Sequence, residues 1–133
     1  MELFNGTIEP GVRIGSCYIG AKREEVLSQF SNNYKIWERG DGFCIYTYDN
    51  LKLWFETNGK LQQIGVTKGF NGNYESIRIG STMQDIVSRY GGYENDGDVY
   101  LIPEREGICF ELEDVDDWDE LTAPIEWIFV YAC

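Results

Sequence analysis

The sequence contains one motif twice, 60 positions apart. IGAKREEVLSQF at residues 19–30 aligns without a gap with IGSTMQDIVSRY at residues 79–90. The copies share an Ile, a Gly and a Ser, and they keep apolar side chains at matched positions such as Val26 and Ile86. These apolar positions have the spacing of an amphipathic helix. Because repeated units bury their apolar faces against each other, the motif predicts two copies of one small unit sharing a core.

A second register competes with this alignment. VRIGS at residues 12–16 matches IRIGS at residues 77–81 with four of five letters identical, at an offset of 65. That match ends after five residues, whereas the 60-residue offset continues through a helix-length window. We therefore align the copies with the offset of 60.

Each copy predicts a helix followed by three strands. The helices are expected near residues 21–31 and 81–91, the second starting with a capping box formed by Ser81 and Gln84. The following segments alternate between apolar and polar residues and are separated by turns, which indicates antiparallel strands. The predicted fold is α+β: one domain over residues 1–133, made of two tandem helix-plus-three-stranded antiparallel units (about 12–68 and 76–133), with the helices on one face of the sheet.

Strand alternation predicts which side chains lie under the helices. Ile64 and Val66 align with Ile128 and Val130, are apolar in both copies, and are expected to face the core. The opposite face would carry aromatic residues, namely Tyr46, Trp54, Trp127, Phe129 and Tyr131. Two readings of these rings stay open, since they are either exposed for binding or covered by a further layer.

Charge is distributed unevenly along the chain. The formal net charge is -12, but residues 1–60 hold 8 acidic and 7 basic residues while residues 61–133 hold 15 acidic and 4 basic ones. Such a field repels nucleic acids and anionic membranes and favours encounter with a basic partner.

The acidic residues are most concentrated at residues 111–120. Seven carboxylates surround Trp118 in this segment: Glu111, Glu113, Asp114, Asp116, Asp117, Asp119 and Glu120. One interpretation is a solvated loop. Another is a docking patch whose charge imitates phosphate and occupies the basic active site of a nuclease or similar toxin. Calcium binding is disfavoured, because the segment lacks the glycine and ligand spacing of an EF-hand loop.

Residue content argues against several kinds of site. The chain has no His and no Cys-x-x-Cys pair, which argues against zinc and against a thiol activated by histidine. The glycine clusters at residues 40–42, 69–72 and 91–97 lack the phosphate-binding pattern and are interpreted as turns. We expect no metal and no cofactor. The absence of a membrane-spanning run and of a signal-peptide pattern predicts a cytoplasmic protein with reduced cysteines.

The segments IGAKREEV and IGSTMQDI, with the strands after them, resemble the tandem units of the β-lactamase inhibitory protein and of SmpA/OmlA-like modules. The resemblance implies a scaffold whose open, aromatic-rich sheet grips another protein. Those relatives are exported, whereas a cytoplasmic acidic protein of this size is similar, as a class, to bacterial immunity proteins of polymorphic or contact-dependent toxin systems.

The leading prediction is therefore a non-catalytic inhibitor, an immunity protein that blocks a basic cognate toxin. Its partner-binding residues are expected to be Tyr46, Trp54, Trp127 and Phe129 with the residues 111–120 segment. The alternative is a small-ligand-binding or assembly module with a cleft between the repeats. An acid–base enzyme using two carboxylates is a third and weaker hypothesis.

Overall fold

The structure, a computed structural model, describes residue 3 and residues 5–133. Strands are the main elements of this part of the chain. In chain order the elements are β1 (Ile8–Glu9), β2 (Arg13–Ile14), β3 (Cys17–Tyr18), α1 (Arg23–Leu27), β4 (Lys35–Glu38), β5 (Cys44–Thr47), β6 (Leu51–Phe55), β7 (Leu61–Val66), α2 (Met83–Tyr90), β8 (Glu94–Asp96), β9 (Val99–Leu101), β10 (Ile108–Leu112) and β11 (Ile125–Tyr131).

The strands form two antiparallel sheets. A small sheet has the order β1-β2-β3, and a large eight-stranded sheet has the order β4-β5-β6-β7-β11-β10-β9-β8. The predicted fold class is therefore wrong. The protein is mostly β, its helices are short, and four strands rather than three follow each helix.

The unpredicted strands are the two edges of the large sheet. Every residue of β4 and β8 is exposed, so neither strand shows the alternation of buried and exposed side chains by which strands are recognised in a sequence. The small sheet was also not predicted, since two-residue strands are too short to show a period.

Matched geometry relates the two halves of the large sheet. The halves meet where β7 pairs with β11, with Gly65 directly opposite Phe129. The β6–β7 pair has a register irregularity at Trp54/Phe55, and the β10–β11 pair has one at Glu111/Leu112. In both pairs the irregularity lies near the strand end to which the repeated Ile-Gly motif is hydrogen-bonded.

The repeated Ile-Gly motif makes the same backbone contacts in both halves. Gly20 donates its N–H to the carbonyl of Leu61 at 2.8 Å, and Gly80 donates to that of Ile125 at 2.9 Å. Both glycines have positive φ, at 88° and 94°, a conformation that glycine adopts without strain. The two glycines thus make matching backbone contacts at positions 60 residues apart.

The helices differ at their N-termini. The helix α2 is capped by Thr82 and Asp85, which form a reciprocal capping box, so the predicted box of Ser81 and Gln84 is wrong by one position. The helix α1 spans only five residues, and its N-cap Lys22 makes no side-chain capping bond. The shorter helix is thus the one without a capping side chain.

One hydrophobic core lies between the large sheet and the elements on its inner face. Ile64, Val66, Ile128 and Val130 are fully buried there, as the alternation predicts. Val26 of α1, Met83 and Ile86 of α2, and Ile8, Ile14 and Cys17 of the small sheet belong to the same cluster. Among the described residues, both halves therefore contribute to the same core.

Candidate functional site: the outer face of the large sheet

We define the outer face as the side of the large sheet opposite the core. It carries alternate residues of the strands, among them Trp54, Gln63, Cys109, Glu111, Trp127, Phe129 and Tyr131. Three of its residues, Ile45, Cys109 and Phe129, are 5–8% exposed yet lie outside the main core cluster. The outer face therefore has an apolar layer of its own.

Phe129 is the centre of this layer. Its ring stacks on Trp127 at a centroid distance of 5.8 Å and meets Trp54 edge to face, also at 5.8 Å. The glycine opposite, Gly65, leaves room for the ring, because a Cβ at that position would lie only 2.9 Å from Phe129 Cδ1. The residue pair at the junction of the two halves thus fixes a central ring on the outer face.

A groove runs beside Phe129 across the junction of the halves. It has a volume of about 510 Å³ and is lined by Trp54, Gln63, Asp96, Val99, Leu101, Cys109, Glu111, Phe129 and Tyr131. Aromatic and aliphatic side chains form most of this lining, and two carboxylates lie at its β8–β10 side. Such a concave apolar surface with a few polar groups is typical of binding sites.

A second groove adjoins the first at Glu111, which lines both. This acidic groove has a volume of about 380 Å³ and is lined by Gly97, Asp98, Tyr100, Glu111, Leu112, Asp114 and Trp118. Trp118 stays 46% exposed at its side. The two grooves together offer rings and carboxylates on one continuous surface.

Electrostatics at Glu111 reflect an excess of negative charge. Burial raises the pKa of its carboxyl, the carboxylates of Glu126 and Asp98 raise the pKa further, and only Lys52 lowers it. Lys52 Nζ lies 5.0 Å from the centre of the Trp127 ring. A cation placed in the acidic groove would therefore relieve repulsion between carboxylates that one lysine offsets only in part.

The acidic loop, residues 113–124, joins β10 to β11 and is held by specific hydrogen bonds. Tyr100 Oη donates to Glu120 Oε2 at 2.9 Å, and Tyr93 Oη donates to the other oxygen of the same carboxylate. The backbone N–H of Gln84 donates to the carbonyl of Leu121 at 3.2 Å, which connects the loop to α2. The loop is thus attached to the fold at Glu120 and Leu121.

Most of the predicted site residues lie in or beside these grooves, but not all. Tyr46 is on the inner face, where its ring packs on Tyr34 and Phe55, so its predicted place on the outer face is wrong. Tyr46 of β5 lies directly opposite Leu53 of β6, which is a core residue. Tyr46 therefore lies on the same face of the sheet as Leu53. Glu120 accepts two tyrosine hydroxyls and has a structural role.

The remaining predicted residues divide into two groups. Trp54, Phe129, Glu111, Asp114 and Trp118 line the grooves, and Trp127 stacks on Phe129. Glu113, Asp116, Asp117 and Asp119 are exposed in the acidic loop, where Asp119 Oδ1 accepts the N–H of Leu121 at 2.8 Å.

Sequence reasoning missed the β8–β9 side of the grooves. The grooves are lined on this side by Asp96, Asp98, Val99 and Leu101. The strand β8 was not predicted, and for β9 no prediction was made of which side chains lie on the outer face. The signal available was the alternation of Val99 and Leu101 around Tyr100, whose hydroxyl reaches Glu120.

The thiols of two buried cysteines, Cys17 in the core and Cys109 on the outer face, have raised pKa values. Burial raises the pKa of Cys17 to about 12, and burial together with the charge of Glu111 raises that of Cys109 to about 12. Both therefore stay protonated at neutral pH and are not thiolate nucleophiles. Cys109 serves the groove as an apolar surface.

The described part of the chain, residue 3 and residues 5–133, contains neither a metal-binding group of side chains nor a membrane-spanning helix. No group of three or more Asp, Glu or Cys side chains in this part of the chain is placed to hold a metal ion. Within the same residues, no helix combines the length and apolar character required to cross a membrane.

Comparison with known proteins yields a likeness of fold. No protein family matches the chain, and no curated protein does. The chain is similar to the crystal structure of the uncharacterized protein YfeY from Escherichia coli, with a TM-score of 0.59 and 11% sequence identity over 98% of this chain and 99% of that chain. At this identity the likeness concerns the fold alone.

Proposed function

We propose that the protein is a non-catalytic binding protein that holds a basic protein partner on its outer face. The observation that carries the proposal is the pair of adjoining grooves: Trp54 and Phe129 line the first, Asp98 and Asp114 line the second, and Glu111 lines both. Trp127 extends the aromatic surface by stacking on Phe129. Aromatic anchors next to a charged rim are the usual composition of strong protein interfaces.

The distribution of basic residues supports a basic partner. Residues 61–133 contain four basic residues, Lys68, Arg78, Arg89 and Arg105. Lys68 and Arg78 lie in loops, whereas Arg89 of α2 and Arg105 of the β9–β10 turn both approach Glu75 and Tyr90. None of the four lines either groove, so no basic side chain of this half offsets Glu111, Asp98 and Asp114 there.

The proposal extends to the biological role. An immunity protein acts by covering the active site of a toxin, and a nuclease active site that binds phosphate is basic. The acidic groove offers such a site complementary charge, while the rings supply buried area. In this role the protein would act in the cytoplasm, without a cofactor and without contact to nucleic acid or membrane.

A growth assay tests the role. Cells would express a basic toxin domain encoded beside the gene for this chain, with and without the protein. The proposal predicts restored growth with the wild type and loss of protection with Trp54→Ala combined with Glu111→Lys. The control is Glu24→Lys, an equally large charge change on the exposed side of α1. Protection that survives the groove variant would mean that the interface lies elsewhere.

The volume of the first groove favours a second candidate function. At about 510 Å³ and lined by both halves, it falls in the size range of small-ligand pockets. A small apolar molecule bound there would fit the alternative of a ligand-binding module. Native mass spectrometry of protein purified without denaturation would detect such a molecule, and loss of that species in Leu101→Trp would locate it.

A further inference from the structure

The two edges of the large sheet differ in how they are protected. The edge strand β8 has the sequence Glu94-Asn95-Asp96, and charged side chains on an edge discourage pairing with another strand. The edge strand β4 has Ile36 and Trp37 at its centre, with exposures of 50% and 63%. The β4 edge therefore carries exposed apolar side chains on both faces.

Backbone groups of β4 also face the open edge. Arg39 donates its N–H to the carbonyl of Phe43 at 2.8 Å, so the N–H of Arg39 faces the chain that leads into β5. Alternate residues in an antiparallel ladder bond to the same neighbour, which assigns the groups of Lys35 and Trp37 to β5. The N–H and C=O of Ile36 and Glu38 consequently point away from β5, where the described part of the chain places no strand.

We propose that β4 is a self-association edge, at which β4 of a second copy pairs antiparallel about Ile36. In this register Ile36 lies opposite Ile36 of the partner subunit, and Trp37 lies opposite Lys35 of the partner subunit on the outer face. The ring and the ammonium group then form cation–π contacts, twice by symmetry. Both copies keep their intramolecular β4–β5 bonds.

The backbone leaves few competing registers. A hydrogen-bonded pair requires outward-facing groups on both strands, so residues of even number must pair with residues of even number. The next register would centre on Trp37 and would set Lys35 opposite Arg39 of the partner subunit, a like-charge pair. Such pairs destabilise a sheet, which favours the register about Ile36.

Charge also selects this edge for a second copy. Two chains of net charge -12 repel each other, and most of that charge belongs to residues 61–133. The β4 edge belongs to the nearly neutral half and lies seven strand spacings from β8. At roughly 4.8 Å per spacing, pairing at β4 keeps the acidic sides of the two copies as far apart as the sheet allows.

The test is sedimentation equilibrium of the full chain from about 10 µM to 1 mM. A weak dimer is expected, strengthened by added salt because the net charges are screened. Ile36→Pro should raise the dissociation constant at least about tenfold without loss of β-sheet circular dichroism, since the N–H it removes faces outward. The matched control is Asn95→Pro in the middle of the opposite edge, which should leave the dimer unchanged.

Charge variants test the register without altering the backbone. Trp37→Lys should weaken the dimer, because it sets two ammonium groups opposite each other. Adding Lys35→Glu should restore it, because the new ammonium group at position 37 of one copy then faces the new carboxylate at position 35 of the other. This pairing occurs only in the register about Ile36. A wild type that stays monomeric to 1 mM, or equal effects of Ile36→Pro and Asn95→Pro, would overturn the proposal.

Discussion

The two halves of the large sheet have matched backbones and different outer surfaces. Both contain a helix, four strands, an Ile-Gly turn and a register irregularity at a corresponding place. Yet Gly65 on one side of the junction faces Phe129 on the other, and the excess acidic charge lies almost entirely in residues 61–133. The two halves thus share their backbone contacts, whereas their differing side chains form the surface for which we propose binding.

Substitutions in the shared core are expected to have the largest effect, and they test whether the two halves unfold together. Leu53 and Phe110 are fully buried on the inner face of β6 and β10. Leu53→Ala and Phe110→Ala should each lower the free energy of unfolding by about 3 kcal/mol, because each leaves a cavity. Denaturant unfolding of each variant should keep one transition with an unchanged slope. A second transition in either variant would show that the halves unfold independently.

At the junction pair, one substitution is expected to have an effect of similar size and the other a smaller one. Phe129→Ala should lower the free energy of unfolding by about 3 kcal/mol, because the ring contacts with Trp54 and Trp127 are lost. Gly65→Ala should cost about 1–2 kcal/mol, because its Cβ would lie 2.9 Å from the Phe129 ring.

Combining the two substitutions tests whether Gly65 is required because of the Phe129 ring. In the Phe129→Ala background the ring is gone, so Gly65→Ala should then cost less than about 0.5 kcal/mol. Additive costs in a double-mutant cycle would mean that Gly65 is required for a reason other than the ring.

Helix capping is expected to give a smaller difference between the halves in the free energy of unfolding. Thr82→Ala should lower the free energy of unfolding by about 1 kcal/mol, because it removes the capping bond of α2. Lys22→Ala should change it by less than about 0.3 kcal/mol, since Lys22 makes no such bond. Lys22→Thr, with Glu25 three residues later, should create a capping box and raise stability by about 0.5 kcal/mol. Equal responses to the two alanine variants in urea titrations would contradict this account.

Titration of Glu111 is expected to have the smallest effect. Its folded-state pKa is raised by burial and by Glu126 and Asp98, so the ionised form costs stability above the unfolded-state pKa. Glu111→Gln should therefore stabilise the protein at pH 7, by about 0.5 kcal/mol after solvent screening. The gain should vanish as pH falls below about 4, where the unfolded state is also protonated. A pH-independent gain in melting experiments would refute this explanation.

The sequence predicted the central strands well, for a physical reason. The strand β6 alternates strictly between buried and partly exposed residues, whereas β7, β10 and β11 contain runs of buried residues. Both patterns, alternation and short apolar runs between turn residues, can be recognised in the sequence. The edge strands β4 and β8 bury nothing, and only their pairing with β5 and β9 makes them strands. Backbone pairing of this kind leaves no periodic signal.

The candidate site was predictable in part. Trp54, Trp127 and Phe129 were assigned to the outer face because alternation relates them to the core residues of their own strands. Tyr46 was misplaced because the register of β5 against β6, which sets its face, depends on the turn between them. The role of Glu120 was hidden for a different reason, since its tyrosine donors lie 20 and 27 residues away in the sequence.

The affinity for the proposed partner, a basic toxin domain, tests the central claim most directly. Isothermal titration calorimetry would compare Asp98→Asn, Glu111→Gln and Asp114→Asn, combined in one variant, with a control in which Glu24→Gln, Glu25→Gln and Asp49→Asn remove the same number of charges from the other half. The account predicts at least a hundredfold loss of affinity for the groove variant, smaller at high salt, and at most a few-fold loss for the control. Equal losses for the two variants would contradict it, because binding would then follow net charge and not the acidic groove.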